Sequence, residues 1–200
     1  MTLYNVKPEF QKLLRPLVVR LHGLGITANQ VTLLAMLASV FVGGLLVAFP
    51  EPLFFVSLPV FLFLRMAMNA IDGMLAREFN QQSTLGALLN EVGDVVSDAA
   101  LYLAFSFLTG ISSWLVVLVV LLALLTEFCG IVAQTLTNAR SYRGPLGKSD
   151  RAFLFGALGL FIALWPQSIV FANSVFGVAA LLLIWTCINR CYSTLGSKND

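Results

Sequence analysis

Two short stretches hold most of the residues able to do chemistry. Asn69 and Asp72 stand three apart in "NAIDGMLAR", and Gly86, Asn90, Asp94 and Asp98 recur every four residues in "GALLNEVGDVVSD". On helices these spacings place each set on one face. Two antiparallel helices joined by a tight turn would bring the faces together as a cluster of carboxylates and carboxamides, open to water at a membrane edge. Oxygen-only donors of this kind suit hard divalent cations such as Mg²⁺, Mn²⁺ or Ca²⁺. Ionisable groups inside apolar segments are costly, so they usually mark a site. The competing reading is polar glue between helices, and for Asp98 both readings stand.

The elements that must position these residues follow from composition. Of 200 residues, 58% are hydrophobic and 11% charged, which fits one multi-helix membrane domain better than a soluble core. A net charge of +2 gives no general pull toward nucleic acid. Six apolar segments read as spanning helices, Val31–Phe49, Leu53–Phe79, Leu85–Leu108, Trp114–Asn138, Ala152–Phe171 and Ser174–Arg190. Each is near the roughly 20 residues a span requires. Turn-like breaks such as "FPEP", "NQQST", "TGISS" and "RGPLGKSD" separate them. Ahead of the first span, "PEFQKLLRPLVVRLHGLG" mixes apolar residues with Lys12, Arg15 and Arg20, the pattern of an amphipathic helix lying on the membrane surface. The expected architecture is therefore all-α: an interfacial segment over 1–30 and a six-helix bundle over 31–190, in a single domain of residues 1–200. No secretory leader is expected at the start. Cys129, Cys187 and Cys191 lack ligand-like spacing and read as reduced thiols packed between helices.

Orientation follows from the basic residues. Lys7, Lys12, Arg15 and Arg20 precede the first span, Arg77 ends the second, Arg140, Arg143, Lys148 and Arg151 surround the fourth loop, and Arg190 and Lys198 lie near the C-terminus. The breaks near Pro50, Gly110 and Pro166 carry no Lys or Arg. Both termini and the polar stretch are expected to face the cytoplasm. Arg65 is left over inside the second span. Counted by helical rise, Glu127 and Asp98 lie at a similar depth. The expectation is a buried structural cation held by Glu127, Asp98 or both.

With these residues in place, "DGMLAR", eight residues and then "GALLNEVGD" resemble the signature of the CDP-alcohol phosphatidyltransferase family, D-x-x-D-G-x-x-A-R, eight residues, G-x-x-x-D-x-x-x-D. The spacing agrees throughout, and "ITANQVTL" is similar to the segment that precedes the family's first span. Asn69 replaces the first motif aspartate and Asn90 the third; Asp72 and Asp94 fill the second and fourth positions.

The resemblance implies transfer of a substituted phosphate from a CDP-alcohol lipid to a hydroxyl acceptor, with release of CMP, in phospholipid biosynthesis. It implies Mg²⁺ or Mn²⁺ held by Asp72, Asp94, Asn69 and Asn90, with Asp94 as general base, and it implies a homodimer in the cytoplasmic (inner) membrane. Gly73, Ala76, Arg77, Thr32 and Asn29 would take the CDP moiety, although close helix packing explains Gly73 and Ala76 as well. "RSYRGPLGKSDRA" would offer Arg140, Arg143, Lys148 and Arg151 to an acceptor phosphate. Attraction to anionic membrane lipids accounts for the same cluster equally well. The other functional classes are a catalytically weak relative that binds metal and nucleotide, and a transporter; a transporter gives no reason for the D-G-x-x-A-R spacing.

Overall fold

A computed structural model describes residues 7–196. Among these, every regular element is helical. The helices are α1 (Lys7–Gly23), α2 (Ala28–Ala48), α3 (Ser57–Glu78), α4 (Thr84–Leu103), α5 (Ser113–Thr137), α6 (Lys148–Leu164) and α7 (Ile169–Gly196). Short 3₁₀ turns, Pro52–Val56, Ala104–Phe107 and Pro166–Ser168, break the chain at the end opposite the α3–α4 turn. Lys198 lies outside the described residues.

Local chemistry sets the helix ends near the site. Thr27 caps α2, accepting from the Gln30 amide while the Gln30 side chain accepts from the Thr27 amide. Such a reciprocal cap contributes about 1 kcal/mol. Ser83 caps α4 by accepting from the Gly86 amide at 2.9 Å. Between α3 and α4, Asn80 takes a left-handed conformation with φ of 55°, which asparagine tolerates better than most residues. The turn is tight enough to aim the polar faces of both helices at each other.

Helix α2 packs on α4 and α3, α5 on α7 and α4, and α3 on α6. The main core is apolar and aromatic, with Phe55, Tyr102, Phe105, Phe155 and Phe176 fully buried. Gly43 allows the closest α2–α4 approach, since a Cβ there would run into the Ala100 carbonyl. A smaller cluster of Val18, Ala28, Val31, Ile71, Met74 and Leu75 seats α1 against the α3 end. His22 stacks on Phe79 with ring centroids 4.0 Å apart, and Arg15 pairs with Glu78 at 2.9 Å. The outer face of α1 still exposes Leu13, Leu17 and Val19.

The bundle also turns large apolar side chains outward, among them Phe41, Phe63, Leu121, Phe128 and Trp185. A contiguous apolar exterior is foreign to soluble monomers. Four helical segments are long and apolar enough to cross a membrane: Ala28–Ala48, Pro52–Glu78, Ser113–Thr137 and Pro166–Gly196. The six expected segments correspond to α2–α7, but α4 and α6 fall short of this measure. Helix α4 carries Glu91, Asp94 and Asp98, and α6 has only 17 residues, two of them Lys148 and Arg151. The expected fifth segment ran across Pro166. The helix instead ends at Leu164 and begins one turn earlier than expected, at Lys148. The three cysteines are free, and Cys129 and Cys191 meet across α5 and α7 with their Sγ atoms 3.9 Å apart.

Candidate active site

Helix α3 aligns Arg65, Asn69 and Asp72 at spacings of four and three, and α4 aligns Asn90, Asp94 and Asp98. The two stripes meet. Asn69 donates through Nδ2 to Asp94 Oδ1 at 3.1 Å. Asp72 is 4% exposed and accepts from the Thr32 hydroxyl on α2 at 2.7 Å. The Asp94 side chain is 20% exposed and also receives the Lys148 ammonium from the start of α6. Asp72 lies within electrostatic reach of both Asp94 and Lys148. These groups form the outer tier of the site.

A second tier lies deeper. Arg65 donates to Asp98 Oδ1 at 2.5 Å and to the Asp94 carbonyl at 3.0 Å, with the Asp94 carboxylate at 3.5 Å. Arg151 is 1% exposed. It reaches Asp98 Oδ2 through Nη2 at 2.9 Å and Nε at 3.2 Å, Glu127 Oε1 at 2.9 Å and the Thr126 hydroxyl at 3.2 Å. Arg140 bridges Glu91 and Glu127, the latter at 2.9 Å. Arg190 donates to the Thr126 carbonyl and lies 3.6 Å from Glu127. In the α5–α6 loop, burial disfavours the Arg140 charge, but Glu91 and Glu127 outweigh it and hold the guanidinium pKa above its ordinary value.

The structure bears out the buried cation expected at Arg65 and narrows its partner: Asp98 holds it, while Glu127 belongs to Arg140, Arg151 and Arg190. Depth along the helices was right, but rise says nothing of rotation. Glu127 sits on α5, which packs chiefly on α7 and α4.

Of the other residues singled out, Asn29 approaches α4 so closely that a Cβ on Gly86 would lie 2.7 Å from its Oδ1. The Arg77 guanidinium folds back over Gly73, where an added Cβ would meet its terminal nitrogens at 3.2 Å. Arg77 and Arg143 are exposed, and neither forms an ion pair among the described residues. Asn90 and Ala76 are half-buried on the facing helices. Arg140, Lys148 and Arg151 turn toward carboxylates of the bundle: Arg140 to Glu91 and Glu127, Lys148 to Asp94, and Arg151 to Asp98 and Glu127. Arg151 as a hub, Arg190, and the contact of Lys148 with Asp94 escaped sequence reasoning. One signal was available: the Asp150 side chain accepts from the Gly147 amide at 3.0 Å, a helix-start pattern that places Lys148 and Arg151 in the first turn of α6.

Among the described residues no three His, Cys, Asp or Glu side chains gather as a metal cage. The outer tier still offers two carboxylates, Asp72 and Asp94, with the Asn69 carboxamide on Asp94 and Asn90 one turn before Asp94 on α4. Asn69 turns its nitrogen to Asp94, which leaves its carbonyl oxygen free for a cation. An all-oxygen set of this size fits one hard divalent ion completed by water or substrate oxygens.

Comparison with known proteins gives the family and the fold. The chain is 53% identical over 195 residues to the inner membrane protein YnbA of Escherichia coli K12, covering 98% of this chain and 97% of that protein. It is 28% identical over 197 residues to phosphatidylinositol phosphate synthase of Mycobacterium marinum, covering 94% of this chain and 81% of that one. Crystal structures of the Mycobacterium tuberculosis phosphatidylinositol phosphate synthase share the fold. The form with CDP-DAG bound superposes with a TM-score of 0.75 at 18% identity, over 90% of this chain and 92% of that one. The form in complex with manganese and citrate gives 0.75 at 17% identity, over 90% and 88%. The family profile of the CDP-alcohol phosphatidyltransferases matches residues 25–187, a range that takes in both motif helices and the Lys148–Arg151 turn; the chain belongs to that family of membrane phosphotransferases.

Proposed function

We propose that this enzyme transfers a substituted phosphate, such as the phosphatidyl group of CDP-diacylglycerol, to a hydroxyl acceptor at the cytoplasmic face of the inner membrane, releasing CMP. The observation that carries the reading is the meeting of the motif faces, with Asn69 on Asp94 at 3.1 Å and Asp72 on the same stripe of α3. The solved relative with CDP-DAG bound supports the donor class, and the inner membrane name of the Escherichia coli relative supports the location. The α1, α3–α4 and α5–α6 segments gather the basic residues at one end of the bundle, which supports the orientation. On this reading α2–α7 all span the bilayer, and α1 lies at its surface.

The roles follow from placement. Asp94 is the carboxylate with access to solvent, so it takes the proton from the acceptor hydroxyl. The acceptor oxygen then bonds to the phosphorus that carries the lipid alcohol. The bond from that phosphorus to the bridging oxygen breaks, and the electron pair leaves with CMP. Asp72, fixed by Thr32, would hold Mg²⁺ or Mn²⁺ together with Asp94, Asn69 and Asn90. When bound, that ion supplies charge neutralisation to the diphosphate. Asn29 and Thr32 line the α2 side, and Arg77 swings from Gly73 toward the nucleotide phosphates. A second reading, a relative that binds metal and nucleotide with weak turnover, is favoured by the lysine ammonium already seated on Asp94. CMP release by purified protein given CDP-diacylglycerol, Mn²⁺ and a panel of alcohols tests the transferase. If no alcohol gives release while the nucleotide still binds, the weak relative stands instead.

A further inference from the structure

The chain has three cysteines, and the fold brings all three together. Cys187 and Cys191 stand one turn apart on α7, and Cys129 meets them from α5. The Cys129 sulfur lies 3.9 Å from that of Cys191 and within hydrogen-bond reach of Cys187. Cys129 and Cys187 are half-buried, whereas Cys191 is exposed, so an oxidant meets Cys191 first. A disulfide holds its sulfurs about 2.05 Å apart. Rotation about the Cα–Cβ bonds of two cysteines closes a gap of 3.9 Å without unwinding either helix. The joint beside the thiols is tight. Arg190, next to Cys191, donates to the Thr126 carbonyl and faces Glu127, which precede Cys129 by less than one turn. A Cβ on Gly130 would lie 3.3 Å from Arg190 Nη1 and 3.5 Å from Arg140 Nε. The thiols therefore sit where α5 and α7 are already closely packed, at the edge of the deep tier.

We propose that Cys129 and Cys191 are a peroxide-sensitive thiol pair that closes into a disulfide and clamps α7 to α5 beside Arg190. The Cys191 thiolate attacks one oxygen of hydrogen peroxide and the O–O bond breaks. Cys191 becomes a sulfenic acid, and the departing hydroxide takes the Cys191 proton and leaves as water. The Cys129 sulfur then attacks the Cys191 sulfur, the S–O bond breaks, and the Cys129 proton leaves with that oxygen as a second water. The two thiols lose two electrons in all, and one peroxide is reduced to two waters. A dithiol reductant such as dithiothreitol reverses the bond by exchange. The crosslink closes a loop in the unfolded chain, so the oxidised form is the more stable one.

The test uses the full-length protein in detergent, reduced, freed of reductant and then treated with hydrogen peroxide. Maleimide labelling counts the thiols that remain, and mass spectrometry of a non-reduced digest identifies linked peptides. The expected result is the loss of two thiols of the three, with Cys187 still free. One linked pair of peptides should hold Cys129 and Cys191 and weigh two hydrogens less than the separate peptides. Dithiothreitol should restore all the thiols. The oxidised protein should melt at least about 4 °C higher than the reduced one. Cys187→Ser should keep the crosslink, whereas Cys129→Ser should stop at a Cys191 sulfenic acid that dimedone traps. Loss of a single thiol, a wild-type crosslink through Cys187, a disulfide between two chains, or a crosslink that leaves the melting temperature unmoved overturns the proposal. The wild-type digest decides the pairing even where a variant does not fold, and no part of the test depends on turnover.

Discussion

Removing Arg65 and removing Arg151, two of the three buried arginines of the deep tier, should have unequal consequences. Arg65→Leu takes away a hydrogen bond of 2.5 Å to Asp98 and one of 3.0 Å to the Asp94 carbonyl. Asp98 is not stranded, because Arg151 still holds its other oxygen at 2.9 and 3.2 Å. The loss is then that of charge-assisted hydrogen bonds, about 1.5–3 kcal/mol. Arg151→Leu removes contacts to Asp98, Glu127 and Thr126 together, from a side chain with almost no solvent access. Asp98 keeps Arg65 and Glu127 keeps Arg140, but charge-assisted bonds to two carboxylates are lost at once, which puts the cost at about 3–5 kcal/mol. For a chain of this length the corresponding drops in melting temperature are roughly 3–12 °C and 6–20 °C. Thermal unfolding in one fixed detergent, followed by the fluorescence of Trp114, Trp165 and Trp185, measures both. Adding Asp98→Asn to Arg65→Leu should cost less than the two separate losses combined, by about 0.5–3 kcal/mol, because the pair shares one interaction. The reasoning is refuted if Arg65→Leu is as damaging as Arg151→Leu, or if Arg65→Leu and Asp98→Asn are simply additive.

Asp72→Asn and Asp94→Asn should each abolish CMP release, since the site has no spare carboxylate; Mn²⁺ titration with CDP present should show weakened binding, and unchanged affinity in both variants would remove them from the metal site. Asn69→Asp combined with Asn90→Asp sets a carboxylate where Asn69 now donates to Asp94. The metal-free protein should melt lower and gain more from added Mn²⁺, whereas a flat response would place these asparagines away from the ion. Gly43→Val drives side-chain carbon into the Ala100 carbonyl and should part α2 from α4, costing about 1–3 kcal/mol in the same thermal assay. Wild-type stability there would show that the helices are not in close contact at that level.

What the sequence made legible was periodic. The i, i+3 and i, i+4 spacing of Asn69, Asp72, Asn90 and Asp94 specified two faces, and a tight turn left few ways to arrange them. Segment existence was legible for the same reason, since apolar runs of span length have few alternatives. Segment ends were not. The start of α6 was expected at Ala152, and the difference of one turn hides the inward turn of Arg151 and the contact of Lys148 with Asp94. With Lys148 and Arg151 taken as loop residues, a basic surface mouth followed. Inside a first turn capped by Asp150 and Gly147, they point into the bundle. The partners of Glu127 were illegible for another reason: they depend on the rotation of α5 against α6 and α7, which apolar packing sets and no spacing within α5 reveals.

The two tiers are mechanically joined at one residue. Arg65 bonds the backbone carbonyl of Asp94 as well as the Asp98 carboxylate, so α3 fixes not only the charge beside Asp94 but the path of α4 through it. Lys148 reaches the same carboxylate from α6. The side chain proposed to take the acceptor proton is therefore held from α3 and α6 while α2 secures Asp72 through Thr32. The deep ion pairs, costly to desolvate, contribute most by fixing these rotations: with an apolar tier in their place, α3 and α6 could slide by a fraction of a turn without losing much burial. In-line attack on phosphorus tolerates little such slip, since an error of about 1 Å in the position of a reacting group can cost a hundredfold in rate.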